Sequence, residues 1–175
     1  MKILQRFHQN DISTPGAFSE MYENNRLSVF RYIYSLMGGP AEEAEDLTAE
    51  TFIRAWKARY TFEGNLDSAI GWLIGIAKRL VIDNHRRKEV QKTTDLPSNI
   101  KSESTTEEEI LLIQQKQELL RLLQALPPDQ REILLLRYML GWKVNQIATH
   151  MNLSENHISV IIHRTLADLR EQWTF

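Results

Sequence analysis

The chain has 175 residues, 42% hydrophobic and 25% charged, with 21 Lys and Arg against 23 Asp and Glu for a net charge of -2. This composition supplies core for one large or two small domains, excludes disorder of the whole chain, and argues against coating nucleic acid by charge alone. With no cysteine, a disulfide framework, a thiolate metal site and a cysteine nucleophile are all excluded.

The opening segment MKILQRFHQND has only Ile3, Leu4 and Phe7 as large apolar residues before charges resume, so the apolar run of a signal peptide is missing. No stretch approaches the roughly 20 apolar residues that span a bilayer. The expectation is a cytoplasmic chain. Thr14-Pro15 then reads as an N-cap followed by proline at the first helical position, and Phe18, Met21, Tyr22, Val29, Phe30, Ile33, Tyr34 and Met37 recur at helical spacing. Gly38-Gly39-Pro40 stops that helix.

The spacing predicts a second helix from about Ala41 to Tyr60, with Ala49, Phe52, Ala55 and Trp56 as its apolar stripe and Glu43, Asp46, Glu50 and Arg54 opposite. A polar stretch from Thr61 to Ser68, centred on Gly64-Asn65, leads to a third helix from about Ile70 to Lys88. Leu73, Ile76, Ala77, Leu80 and Val81 form its expected buried side, and it ends in a basic cluster. The segment Lys92 to Glu108, KTTDLPSNIKSESTTEE, reads as a linker. Charge separates the same parts: 13 basic and 12 acidic residues in 1–92, one and four in 93–108, seven and seven in 109–175.

Beyond the linker a helix from about Glu107 to Leu126 is closed by Pro127-Pro128, another runs from about Asp129 to Leu140 with Ile133, Leu134, Leu136 and Tyr138, and two short helices complete the chain. No run alternates with period two for long enough to make a strand, so the expected fold is all-α: two small helical domains joined by a flexible linker. The expected boundaries are 1–92, an acidic linker at 93–106, and 107–175.

Val144 to His163 is the most informative stretch. Two short helices joined by a tight turn need buried apolar residues at fixed offsets, a small residue where they cross, and a turn residue tolerant of positive φ. Ile147, Met151, Leu153, Ile158 and Ile161 supply the first, Ala148 the second and Asn152 the third. Ser154 stands where the second helix should be capped. Glu155, Asn156, Ser159, Val160 and His163 then fall on an exposed face that can meet base edges in a major groove, with Arg164 placed to hold a phosphate. The competing reading is an amphipathic hairpin that only packs.

On the third helix, Trp72 precedes Lys78, Arg79, Asn84, His85, Arg86, Arg87 and Lys88. Cations beside an aromatic suit single-stranded or melting DNA, although cations at a helix C-terminus also complement its dipole. The runs AEDLTAETFIRAW (44–56), WLIGIAKRLVIDNHRR (72–87) and LLQALPPDQREILLLRYMLGWKVNQIATHMNLSENHISVIIHRTLADLR (122–170) together resemble the extracytoplasmic-function sigma factors, minimal members of the sigma-70 family. The resemblance spans about residues 15–92 as that family's region two and 107–172 as its region four.

The resemblance implies a subunit that binds core RNA polymerase and directs promoter recognition, DNA opening and transcription initiation. Asp46, Glu50 and Arg54 match the surface that docks on the clamp helices of the polymerase β′ subunit. The loop from Phe62 to Ser68, including Asn65, with Trp72 and Asn84 behind it, matches the part that captures an unpaired base of the -10 element, and Lys78, Arg79, Arg86 and Arg87 would hold its backbone. The helix carrying Ser154, Glu155, Asn156, His157, Ser159, Val160, His163 and Arg164 would read the -35 element. Its partners would be core polymerase through β′ and the β flap, promoter DNA and an anti-sigma factor. No cofactor, metal or catalysis is implied.

Three positions depart from the family pattern. Asparagine is usual at Arg79, glycine and threonine are common at Asn156 and His157, and cations are common at Ser159, Val160 and Ile161. Val160 can touch a thymine methyl where a cation would hold a phosphate. Two other readings are a free-standing helix-turn-helix regulator and a protein-docking module that does not bind DNA. An enzyme is disfavoured: the carboxylates Glu42, Glu43, Glu45, Asp46 and Glu50 lack the Glu-x-x-His pairs of a bundle metal site, and His8, His85, His150, His157 and His163 share no such spacing.

Overall fold

The structure, a computed structural model, describes residues 12–64, 68–91 and 107–173. The chain packs as two compact units divided between Asn84 and His85. Every regular element among the described residues is helical. No helix among them is long and apolar enough to cross a membrane. The expected linker at 93–106 lies outside the described residues.

In the first unit, α1 runs from Pro15 to Met37. The Thr14 hydroxyl accepts from the Ala17 N–H, Pro15 takes the first turn, and Gly38 closes the helix at φ 62, a left-handed conformation that glycine adopts without a Cβ penalty. Helix α2, Ala41–Ala58, buries Ala44, Thr48, Thr51, Phe52 and Ala55. This is a correction to the expected stripe, because Ala49 is exposed and two threonines point inward. Threonine is tolerated there because each hydroxyl donates to its own helix, Thr48 to the Ala44 carbonyl at 2.6 Å and Thr51 to that of Leu47 at 2.7 Å. Two edge-to-face pairs, Phe18 on Trp56 and Tyr22 on Phe52, join α1 to α2 at centroid distances of 4.9 and 4.8 Å.

Helix α2 stops at Ala58, short of the expected Tyr60, and tightens into a 3₁₀ turn at Arg59–Thr61. The Arg59 guanidinium explains the stop. It donates to the Trp56 carbonyl at 2.6 Å and the Ser13 carbonyl at 3.2 Å, and lies 3.7 Å over the Trp56 ring. Helix α3, Ala69–Gln91, buries Leu73, Ile74, Ala77, Leu80 and Val81; Ile74 takes the place expected of Ile76, which is half-buried.

The second unit comprises α4 (Glu107–Ala125), α5 (Pro128–Leu134), a π turn (Leu135–Met139), α6 (Val144–Met151) and α7 (Glu155–Gln172). Leu122, Leu123, Ile133, Leu134, Leu136, Ile147 and Ile158 fill its core. The single helix expected over Asp129–Leu140 widens at its end, where the Leu140 N–H reaches the Leu135 carbonyl, and Tyr138 turns outward with 60% exposure. The last helix is not short: α7 continues to Gln172, held to α5 where the Thr165 hydroxyl donates to Gln130 at 3.2 Å.

Arg131 closes α4. Its guanidinium donates to the carbonyls of Leu123 at 2.9 Å, Gln124 at 2.9 Å and Leu126 at 3.1 Å, and to the Gln124 side chain at 2.7 Å. Burial lowers its pKa from the usual arginine value, though an arginine so placed stays charged at any physiological pH. Replacing Arg131 by Ala is expected to cost about 2–3 kcal/mol of unfolding free energy in a urea titration, since hydrogen bonds from a charged donor are the strong kind. A loss under about 0.5 kcal/mol would mean that water satisfies those carbonyls equally well.

Candidate nucleic-acid interface

Helices α6 and α7 form the expected helix-turn-helix. Gln146 closes the start of α6 by accepting from the Lys143 N–H at 2.8 Å. Asn152 ends it at φ 54 and ψ 45, a left-handed turn that asparagine tolerates better than most residues. The Leu153 N–H then bonds the Ala148 carbonyl at 2.9 Å. Ser154 caps α7, its hydroxyl accepting from the His157 N–H at 3.2 Å. Ile147, Ala148 and Ile158 are buried, as the offsets predict, and Met151 and Ile161 are half-buried. Leu153 departs from its expected core position, standing 36% exposed at the turn.

Glu155, Asn156, His157, Ser159, Val160, His163 and Arg164 are all exposed on α7. At about 100° per residue, Asn156, Ser159, Val160 and His163 share one stripe, while His157 and Arg164 fall to one side of it. The Ser159 hydroxyl donates to the Glu155 carbonyl at 2.9 Å. A buried carboxylate that periodicity did not single out fixes α6 on α5: Glu132, 2% exposed, lies 3.5 Å from His150 Nε2, and the His150 ring meets Trp142 edge-on at 5.3 Å.

The second cationic face is on α3. Trp72, Arg79 and Arg86 recur every seven residues, which places them along one line of the helix at steps of about 10.5 Å. Arg79, Arg86 and Arg87 are exposed and Lys78 is half-buried. Behind Trp72, the Phe62 ring packs at 4.9 Å. Asn84 is half-buried and donates to Glu43 at 2.8 Å, so it ties α3 to α2. Asn65 lies outside the described residues. On α2, Asp46 is exposed, and Glu50 accepts from Arg54 at 2.8 Å with each side chain about two-fifths exposed.

Gly64 is a site residue whose role only packing reveals. A Cβ there would come within 2.6 Å of the Phe62 ring and 2.5 Å of Ser68 Oγ, so the loop closes over Phe62 only with glycine. A groove of about 340 Å³ between α1 and α2 is lined by Tyr22, Arg26, Leu27, Phe30 and Glu45 among others. Another, of about 390 Å³ and nearly all apolar, lies among α4, α5, the π turn and α7, with Leu119, Leu123, Leu135, Tyr138, Leu166 and Leu169 in its wall.

Comparison with known proteins gives a family match in each unit. The model of sigma-70 region 2 matches residues 21–90, and that of sigma-70 region 4 matches residues 116–169. The chain is 35% identical over 159 residues to the ECF RNA polymerase sigma factor BldN of Streptomyces coelicolor, covering 87% of this chain and 59% of that one. It is 27% identical over 153 residues to the ECF RNA polymerase sigma factor SigL of Mycobacterium tuberculosis, covering 86% and 85%. The fold is similar to the sigma factor RpoE of Bartonella quintana, solved in complex with the anti-sigma factor NepR, at a TM-score of 0.67 and 22% identity over 88% of this chain and 94% of that one.

Substituting Gly64 by Ala is expected to push Phe62 off Trp72. The Trp72 indole resonance should shift in a two-dimensional NMR spectrum, with a stability loss of about 1–3 kcal/mol, typical of forced overpacking. An unmoved indole signal would show that the loop opens without disturbing the aromatic pair.

Proposed function

The chain belongs to the sigma-70 family, as a sigma factor of the extracytoplasmic-function group acting in transcription initiation, and from that premise we propose how its residues divide the work. The carrying observation is that regions 2 and 4 both match, in order, over 21–90 and 116–169. A free-standing regulator would need only the second of these, and a docking module would need no base-facing helix.

The proposed domains are 1–92 and 107–175, with an acidic linker at 93–106. Region two docks on the β′ clamp helices through Asp46, Glu50 and Arg54, where the Glu50–Arg54 pair holds both charges in a fixed pattern at the surface. Phe62, Asn65 and Trp72 bound the place where an unpaired -10 base is captured. Lys78, Arg79, Arg86 and Arg87 hold the opened strand by its phosphates, while Asn84 positions α3 against α2.

Region four reads the -35 element with Ser154, Glu155, Asn156, His157, Ser159, Val160, His163 and Arg164. Its apolar groove beside Tyr138 is suited to a hydrophobic segment of the β flap. An anti-sigma factor is a further partner, because a sigma factor of the same fold has been solved with one bound. The work is positioning and melting, with no covalent step, in the cytoplasm where polymerase and promoter meet.

The first test mixes purified chain with core polymerase and pooled genomic fragments. Transcripts that depend on the chain and share two upstream boxes are the expected result; no complex and no transcript would refute the reading. In the same assay, replacing Arg86 and Arg87 together by Ala is expected to lower promoter opening, followed by permanganate reactivity, far more than polymerase binding. Equal loss of both would reassign those arginines to docking.

A further inference from the structure

The region-four surface carries enough detail to say which base its recognition helix singles out, and this inference rests on the promoter-reading role proposed above. Base edges are read by side chains at the start of the helix, within its first two turns. In that stretch Ser154 spends its oxygen on the His157 N–H, and Ser159 gives its only hydrogen to the Glu155 carbonyl, leaving it an acceptor alone. Glu155 is an acceptor by nature.

Lys and Arg are absent from residues 155–163, so the bidentate grip on guanine O6 and N7, which takes two donors on one cationic side chain, has nothing to form it on this face. Asn156 is different. It is exposed at the second position of α7 and carries a donor and an acceptor side by side on one short, stiff amide.

We propose that Asn156 reads an adenine in the upstream promoter element, donating to N7 and accepting from the 6-amino group, and is the residue that sets specificity at that base pair. Adenine alone presents an acceptor beside a donor at this spacing. Guanine presents two acceptors, and the amide oxygen would face one of them. Val160 lies four residues on, about 40° around the helix, exposed and apolar. It meets a neighbouring thymine methyl, which favours A·T pairs beside the one that Asn156 reads. Arg164, exposed and to the side of the stripe, holds a phosphate and adds affinity without base preference.

The test uses holoenzyme, the full chain with core polymerase, on a promoter library randomised through the upstream box, with transcripts counted by sequencing. Wild type should prefer adenine at one position by about five- to a hundredfold, the range of one bidentate pair. Asn156→Ala should flatten that position to within about twofold and leave the downstream box unchanged, and Asn156→Arg should move the preference to guanine at the same position, because arginine makes the two-donor grip.

Circular dichroism melts of both variants serve as the folding control, and Arg164→Ala should lower transcription evenly across the library. An upstream box that is required but read identically by wild type, Asn156→Ala and Asn156→Arg overturns the inference while sparing the promoter-reading role. If wild type drives no transcript that depends on an upstream box, that role falls and this inference falls with it.

Discussion

A chain whose described elements are all helices, most joined by connections of a few residues, must dispose of the unpaired N–H and C=O groups at each helix end, and buried ends cannot leave them to water. Both units solve this with an arginine. Arg59 collects the Trp56 and Ser13 carbonyls at the end of α2, and Arg131 collects three carbonyls at the end of α4. In each case the fork does two jobs, because the same bonds that satisfy a helix end also fasten a second segment to it. The starts of the helices are closed by short side chains, Thr14 for α1, Gln146 for α6 and Ser154 for α7. Where α2 stops determines where Phe62 stands, and where α6 stops determines how α7 is aimed.

Electrostatics divides the labour between the units. The cations of α3 lie on its exposed side near one end, where phosphates of an opened strand can be held, whereas the base-facing stripe of α7 has amide, hydroxyl, valine and histidine. A surface of the second kind is selective but weak on its own, since phosphate contacts supply most of the affinity of free proteins for DNA. A sigma factor need not bind promoters unaided, because its polymerase partner supplies the rest of the contact.

Much of this was legible in the sequence because helical periodicity, proline and glycine stops and serine or asparagine at turns are local signals. The Asn152 turn, the Ser154 cap and the Thr14-Pro15 start stand where those signals put them. What was not legible came from pairings distant in sequence or from geometry that hydrophobicity does not encode. Thr48 and Thr51 read as polar yet face the core, since their hydroxyls are satisfied within the helix. Arg131, Glu132 and Asn84 read as surface charge and amide, and only the fold brings them to α4 carbonyls, His150 and Glu43. Gly64 looked like an ordinary loop glycine until Phe62 and Ser68 closed on it. The recognition face was placed correctly as exposed, but which of its groups were already occupied required the hydrogen bonds of Ser154 and Ser159.

The π turn at Leu135–Met139 sets a rule for how this unit can change over evolutionary time. Each residue of an α-helix rotates the chain by about 100°, and a π turn fits one extra residue into what would otherwise be a plain helical turn. Exchanging side chains at Leu135 or Met139 alters packing in small steps. Losing one residue there would restore an α turn and swing everything after it by about 100°, so that α6 and α7 would leave in a new direction. Lineages of this chain should therefore accumulate substitutions across 135–139 freely while keeping its length constant, and length changes should collect in the connection between α3 and α4, where nothing downstream depends on rotational phase.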